Sequence, residues 1–91
     1  MRPANHRMII NDATGNRVHG RVLSVRYRGG GVSNVEVETH DVLPLGEYEA
    51  TYSTYTLSAQ GTYTVDSFDS TKDSGWVVRG IFTQRTVQRW A

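Results

Sequence analysis

The chain has 91 residues and no cysteine, with 37% hydrophobic and 21% charged residues and a formal net charge of +1 at pH 7. A chain this short makes one domain, expected over residues 1–91, and its core buries only roughly 60–65% of the unfolded surface. The missing cysteines exclude disulfides, thiolate metal sites and cysteine nucleophiles. No apolar run reaches the length of a membrane span and no apolar leader opens the chain, so no membrane partner is expected.

No window keeps apolar residues at helical spacing for two turns, so no long helix is predicted. Residues 1–6 are expected to form an extended arm. Arg7-Met8-Ile9-Ile10 reads as a short strand, closed by turn chemistry at Asn11-Asp12 and Thr14-Gly15-Asn16. Arg17 to Arg28 is a long strand candidate whose apolar parity switches from Val18 and Val22 to Leu23, Val25 and Tyr27. One residue too many in a period of two is the sequence mark of a β-bulge.

Gly29-Gly30-Gly31 is expected as a flexible loop. Val35 and Val37 then alternate with Glu36 and Glu38, a half-buried strand that Pro44-Leu45-Gly46 closes. Glu47 to Thr56 alternates Tyr48, Ala50 and Tyr52 against Glu47, Glu49 and Thr51, and Ala59-Gln60-Gly61 is predicted to turn the chain. Thr62 to Phe68 is the next strand. A polar loop over Asp69–Gly75 leads to an antiparallel return over Trp76–Phe82, which Thr83–Trp90 extends or follows as a separate strand. Trp76 is expected as a core aromatic. The fold class is therefore all-β: a small antiparallel β-barrel or sandwich of six to seven strands.

Charge is sorted along the chain. Residues 1–28 carry six arginines against Asp12 alone, and residues 36–73 carry eight acids against Lys72 alone. The tail is basic again at Arg79, Arg85 and Arg89. Such a pattern suits a protein whose basic and acidic surfaces meet between copies.

Catalytic and metal patterns are not found. His40 and Asp41 are adjacent, so in an extended strand they point to opposite faces and form no base–orienter pair. His6 and His19 read as strand or loop histidines, and no nucleophile-elbow or H-E-x-x-H motif is present. Asp66, Asp69 and Asp73 do not follow the spacing of an EF-hand. The glycine triplet lacks the Lys-Ser/Thr and the helix of a phosphate loop. No enzyme, cofactor or metal is expected.

Five pieces in order resemble the head–tail attachment, or head-closure, proteins of long-tailed bacteriophages. They are Val18-His19-Gly20, Gly29-Gly30-Gly31-Val32, Thr39 through Gly46, Gly61-Thr62-Tyr63-Thr64-Val65-Asp66, and Asp73-Ser74-Gly75-Trp76-Val77-Val78. The resemblance implies a small barrel forming a homo-oligomeric ring in the virion neck, between portal or adaptor and tail proteins, with DNA passing nearby. It also implies assembly in the host cytoplasm, residence in the virion and no catalytic residues.

A ring needs a heterologous interface. The candidate contact residues are a basic edge from Arg17, Arg21, Arg26 and Arg28 with Gly29, Gly30 and Gly31, and an acidic edge from Glu36, Glu38, Glu47 and Glu49. Arg85, Arg89 and Trp90 join them from the tail. Two other readings are a small phage-type module that inhibits a host target, and an OB-like binder of single-stranded nucleic acid using arginines and stacked tyrosines.

Overall fold

The computed structural model describes residues 6–71 and 73–89. Six strands form: β1 (Arg7–Asn11), β2 (Arg17–Gly29), β3 (Val32–Thr39), β4 (Gly46–Ser53), β5 (Leu57–Ser70) and β6 (Trp76–Arg89). Every pairing is antiparallel, and the order β1-β2-β3-β6-β5-β4 closes where β1 meets β4. Two three-stranded meanders, β1–β3 and β4–β6, are thus wrapped onto each other through β3–β6 and β1–β4. Of the expected barrel or sandwich, the chain makes the barrel.

Alternation decides what fills it. Met8 and Ile10, Val35 and Val37, and Tyr63 and Val65 are two-residue repeats, and Val78, Gly80 and Phe82 continue the alternation on a fourth strand, all buried. Val22, Ala50 and Ala59 join them, and Leu43 from the connecting segment after β3 packs into the same core. The first turn forms as expected. Asp12 accepts from the Thr14 amide at 3.0 Å, the Thr14 hydroxyl at 2.8 Å and the Asn16 amide at 2.9 Å. These bonds, the Thr14 side chain first, hold its carboxyl below the usual value.

The parity switch in β2 is a bulge. Val22 pairs with Val37 and Ser24 with Glu36, which leaves Leu23 as the extra residue. Beyond it, Val25 and Tyr27 lie 37% and 67% exposed.

Three local expectations are corrected. Ala59-Gln60-Gly61 is not a turn: the chain reverses earlier, where the Thr54 amide donates to the Leu57 carbonyl at 2.9 Å and the Leu57 amide to the Thr54 hydroxyl at 3.2 Å. Gly61 lies inside β5 at a register shift, where an added Cβ would come within 2.0 Å of the Thr83 carbonyl oxygen. The glycine serves close strand approach, not chain reversal.

The expected flexible loop at Gly29–Gly31 is a tight hairpin. Gly29 pairs with Val32, and Gly30 and Gly31 take φ of 62° and 78°, as the primed two-residue turns require. Gly31 donates its amide to the Tyr27 hydroxyl at 3.2 Å and accepts from the Gln84 amide at 2.9 Å.

Trp76, expected as a core aromatic, is only half-buried at the start of β6 and packs edge-on against Phe68, with centroids 5.6 Å apart. The segment after Phe82 continues β6 to Arg89 without a break.

Candidate interaction surface

Strand pairing brings together charges that are far apart in sequence. Arg21 lies directly across from Glu38, and its Nη2 donates to Oε1 at 2.8 Å. Arg79 donates through Nε to Glu36 at 2.9 Å and through Nη1 to Asp69 at 2.7 Å, contacts that raise its already high pKa, Asp69 foremost. Arg85 reaches Glu49 at 2.5 Å and the Thr62 hydroxyl at 3.1 Å.

The basic and acidic stripes are therefore neighbours on one closed sheet rather than two separate edges. Glu36, Glu38 and Glu49 each already hold an arginine of their own chain. For Glu36 and Glu38 the physical reason is topological: β3 lies between β2 and β6, so it is flanked by arginine-bearing strands, whereas Glu49 on β4 is reached by Arg85 of β6 across β5. These pairs are exposed, and exposed pairs contribute little, about 0–1 kcal/mol each.

The other expected contact residues are distributed differently. Arg17 opens β2 opposite Asn11, Glu47 is exposed opposite Thr64 at the start of β4, and Arg89 ends β6 opposite Leu57. Trp90 lies outside the described residues. Arg26 faces Asn34 across the ladder, and Arg28 donates to the Asn34 side-chain carbonyl at 3.0 Å. Gly29, Gly30 and Gly31 form the tip beside them.

This hairpin end is the most distinctive part of the surface. Among the described residues, β1 pairs with β2 over Arg17–Arg21 and the Val22 amide donates to the His6 carbonyl at 3.1 Å, so Leu23–Gly29 has strand pairing on the β3 side alone. Exposed Val25 and Tyr27 alternate there with Arg26 and Arg28. Parity in the sequence marks Val25 and Tyr27 as inward. Nothing in it shows that, among the described residues, β1 pairs with β2 only as far as Arg21. Leu45, 63% exposed beside Pro44, was also missed.

A second feature is a cleft of about 520 Å³ over β1, β2 and the end of β3, walled by the β5–β6 loop. Arg7, His19, Arg21, Glu38, His40, Thr71 and Asp73 line it. His19 and His40, 21 positions apart, are thus brought to one place by the β2–β3 pairing. His6 lies elsewhere, hydrogen-bonded to the Tyr52 hydroxyl and edge-on to its ring at 5.4 Å. Among the described residues, no group of three or more His, Asp or Glu is placed to hold a metal ion.

The tyrosines divide by position. Tyr63 is fully buried, Tyr48 and Tyr52 are half-buried, and Tyr27 and Tyr55 are exposed. Only Tyr27 stands next to arginines in sequence.

Fold and surface together define a small closed six-stranded antiparallel barrel with a basic, partly apolar hairpin at one end. Comparison with protein-family models, with curated proteins and with solved structures gives no match to this chain.

Proposed function

We propose that this chain is a non-enzymatic assembly protein that docks onto other proteins through the β2–β3 hairpin end. Its setting is the neck of a long-tailed phage virion, where copies form a ring between portal and tail proteins. The observation that carries the reading is the hairpin itself. Val25 at 37% and Tyr27 at 67% exposure, alternating along the strand with Arg26 and Arg28, combine apolar contact area with charge, the composition of interface anchors. The setting rests on the ordered sequence pieces that resemble head-closure proteins.

Intramolecular pairing of Glu36, Glu38 and Glu49 shifts the argument for self-assembly away from those acids and onto the hairpin. Sedimentation across a concentration series tests it. Oligomers that dissociate when Arg26 and Arg28 are both changed to Glu support the reading. A protomer that stays single at millimolar concentration, with no purified particle containing the chain, overturns it.

Tyr27 between two arginines also favours a second reading, a stacking platform for single-stranded nucleic acid. The barrel is six-stranded and closed, unlike the five-stranded partly open OB-fold. Salt-dependent retention on single-stranded DNA, lost in Tyr27→Ala, would favour this second reading.

A further inference from the structure

We infer that the cleft between β1, β2 and the β5–β6 loop is a binding site for a phosphate group, free or carried as a monoester. The inference is independent of the assembly reading, because the hairpin end takes no part in it.

Its basis is an arrangement that the barrel imposes: two facing arginines, of which Arg21 alone holds a carboxylate among the described residues. Arg7 on β1 and Arg21 on β2 are directly opposite each other in the ladder. Side chains so placed start about 5 Å apart, and like charges there repel. One carboxylate, Glu38, engages Arg21 from the far side at 2.8 Å. Among the described residues no acid pairs with Arg7, which has Ser53 on its other flank. An anion seated between the two guanidinium groups would turn that repulsion into a pair of charge-assisted bonds, and the guanidinium fork suits phosphate oxygens.

The rest of the lining adds donors. His19 lies two residues before Arg21 on β2, and His40 follows the end of β3 in the same cleft. On the loop wall, the Thr71 hydroxyl oxygen accepts the Gly75 amide at 2.9 Å and the Asp73 amide at 3.3 Å. Its lone pairs are thereby engaged, which leaves its own proton to donate. Glu38 and Asp73 are the opposing charges in the lining; Glu38 is engaged by Arg21, and removal of Asp73 should strengthen anion binding. A volume of about 520 Å³ accommodates phosphate alone or with an organic substituent.

The test is a ¹⁵N-resolved NMR titration of the full chain with inorganic phosphate, with a nucleoside monophosphate, and with sodium chloride at matched ionic strength. Saturable shifts centred on Arg7, His19, Arg21 and His40, produced by phosphate and not by chloride, are expected. Tighter binding of the monophosphate identifies the ester as the source, and equal affinity identifies free phosphate. Arg7→Gln should weaken binding about tenfold, the loss of a charge-assisted bond. Arg7→Lys, which keeps the charge and loses the fork, should fall between, Asp73→Asn should bind tighter, and Arg26→Gln on the hairpin should match the parent. Shifts that chloride reproduces, or unchanged affinity in folded Arg7→Gln and Arg7→Lys, would overturn the site.

Discussion

The hydroxyl of Tyr63 on β5 donates to the carbonyl oxygen of Val35 on β3 at 2.8 Å, reaching past the intervening β6, whose Val78 carbonyl lies 3.4 Å away. Tyr63 is fully buried, so this bond ties the two meanders together from inside. Tyr63→Phe should keep the packing and lose the bond, at a cost of about 1–2 kcal/mol. Urea unfolding measures it; a loss under about 0.5 kcal/mol would show the hydroxyl to be dispensable.

Burial also determines the alkaline limit. It raises the Tyr63 phenol well above its ordinary value of 10 and pushes Tyr52 up to about 12. In the unfolded chain both ionise near pH 10, so above that pH the unfolded state holds fewer protons and folding stability falls. The contribution is fully present below pH 10 and is lost as pH rises through the folded values. For Tyr63 the slope should be about 1.4 kcal/mol per pH unit once pH exceeds 10. Tyr63→Phe should flatten the decline in stability between pH 10 and 12, as followed by denaturant midpoints. An unchanged slope would contradict the assignment.

Gly61 and Gly80 are fixed by close strand approach. An added Cβ would meet the Thr83 carbonyl oxygen at 2.0 Å and the Thr64 carbonyl oxygen at 2.2 Å, respectively. Backbone cannot yield as a side-chain tip can. Gly61→Ala and Gly80→Ala should each cost about 3 kcal/mol or more, whereas Gly15→Ala, with open space but φ of 88°, should cost only about 1 kcal/mol. Thermal unfolding of the three variants ranks them; equal losses would mean the barrel relaxes around the added methyls.

Arg79 holds two acids, yet its side chain is 46% exposed. Solvent screening keeps such pairs weak, so Arg79→Met should lose less than about 1 kcal/mol. The loss should shrink further as salt is raised. A salt-independent loss of several kcal/mol would show that the network is structural.

Trp76 packs on Phe68 at the barrel end without full burial. Trp76→Ala should cost about 2 kcal/mol, below the usual 3–5 for a core aromatic. Calorimetric or denaturant unfolding checks this, and a loss within the core range would place Trp76 among the main packing residues.

The β-class, the turn at Asp12, the bulge after Val22 and the Trp76 return were all legible, because each depends on neighbours within a few positions. Gly61 was misread for the opposite reason. As a local signal, glycine suggests a turn, and only the approach of Thr83, 22 positions on, shows why it sits mid-strand. The glycine triplet was read as freedom, whereas the hairpin uses its positive φ to build a defined turn.

The charged residues follow the same division. Sequence order determined which segments are basic and which acidic, since composition is a property of the chain alone. Whether those charges meet within one molecule or remain available to another was decided by the ladder, which set Arg21 against Glu38 and Arg79 against Glu36 and Asp69. The β1–β2 and β2–β3 pairings likewise set Arg7 beside Arg21 and brought His19 and His40 to one cleft. Period-two alternation chooses a residue's face, but antiparallel pairing chooses its neighbours, and electrostatics depends on neighbours.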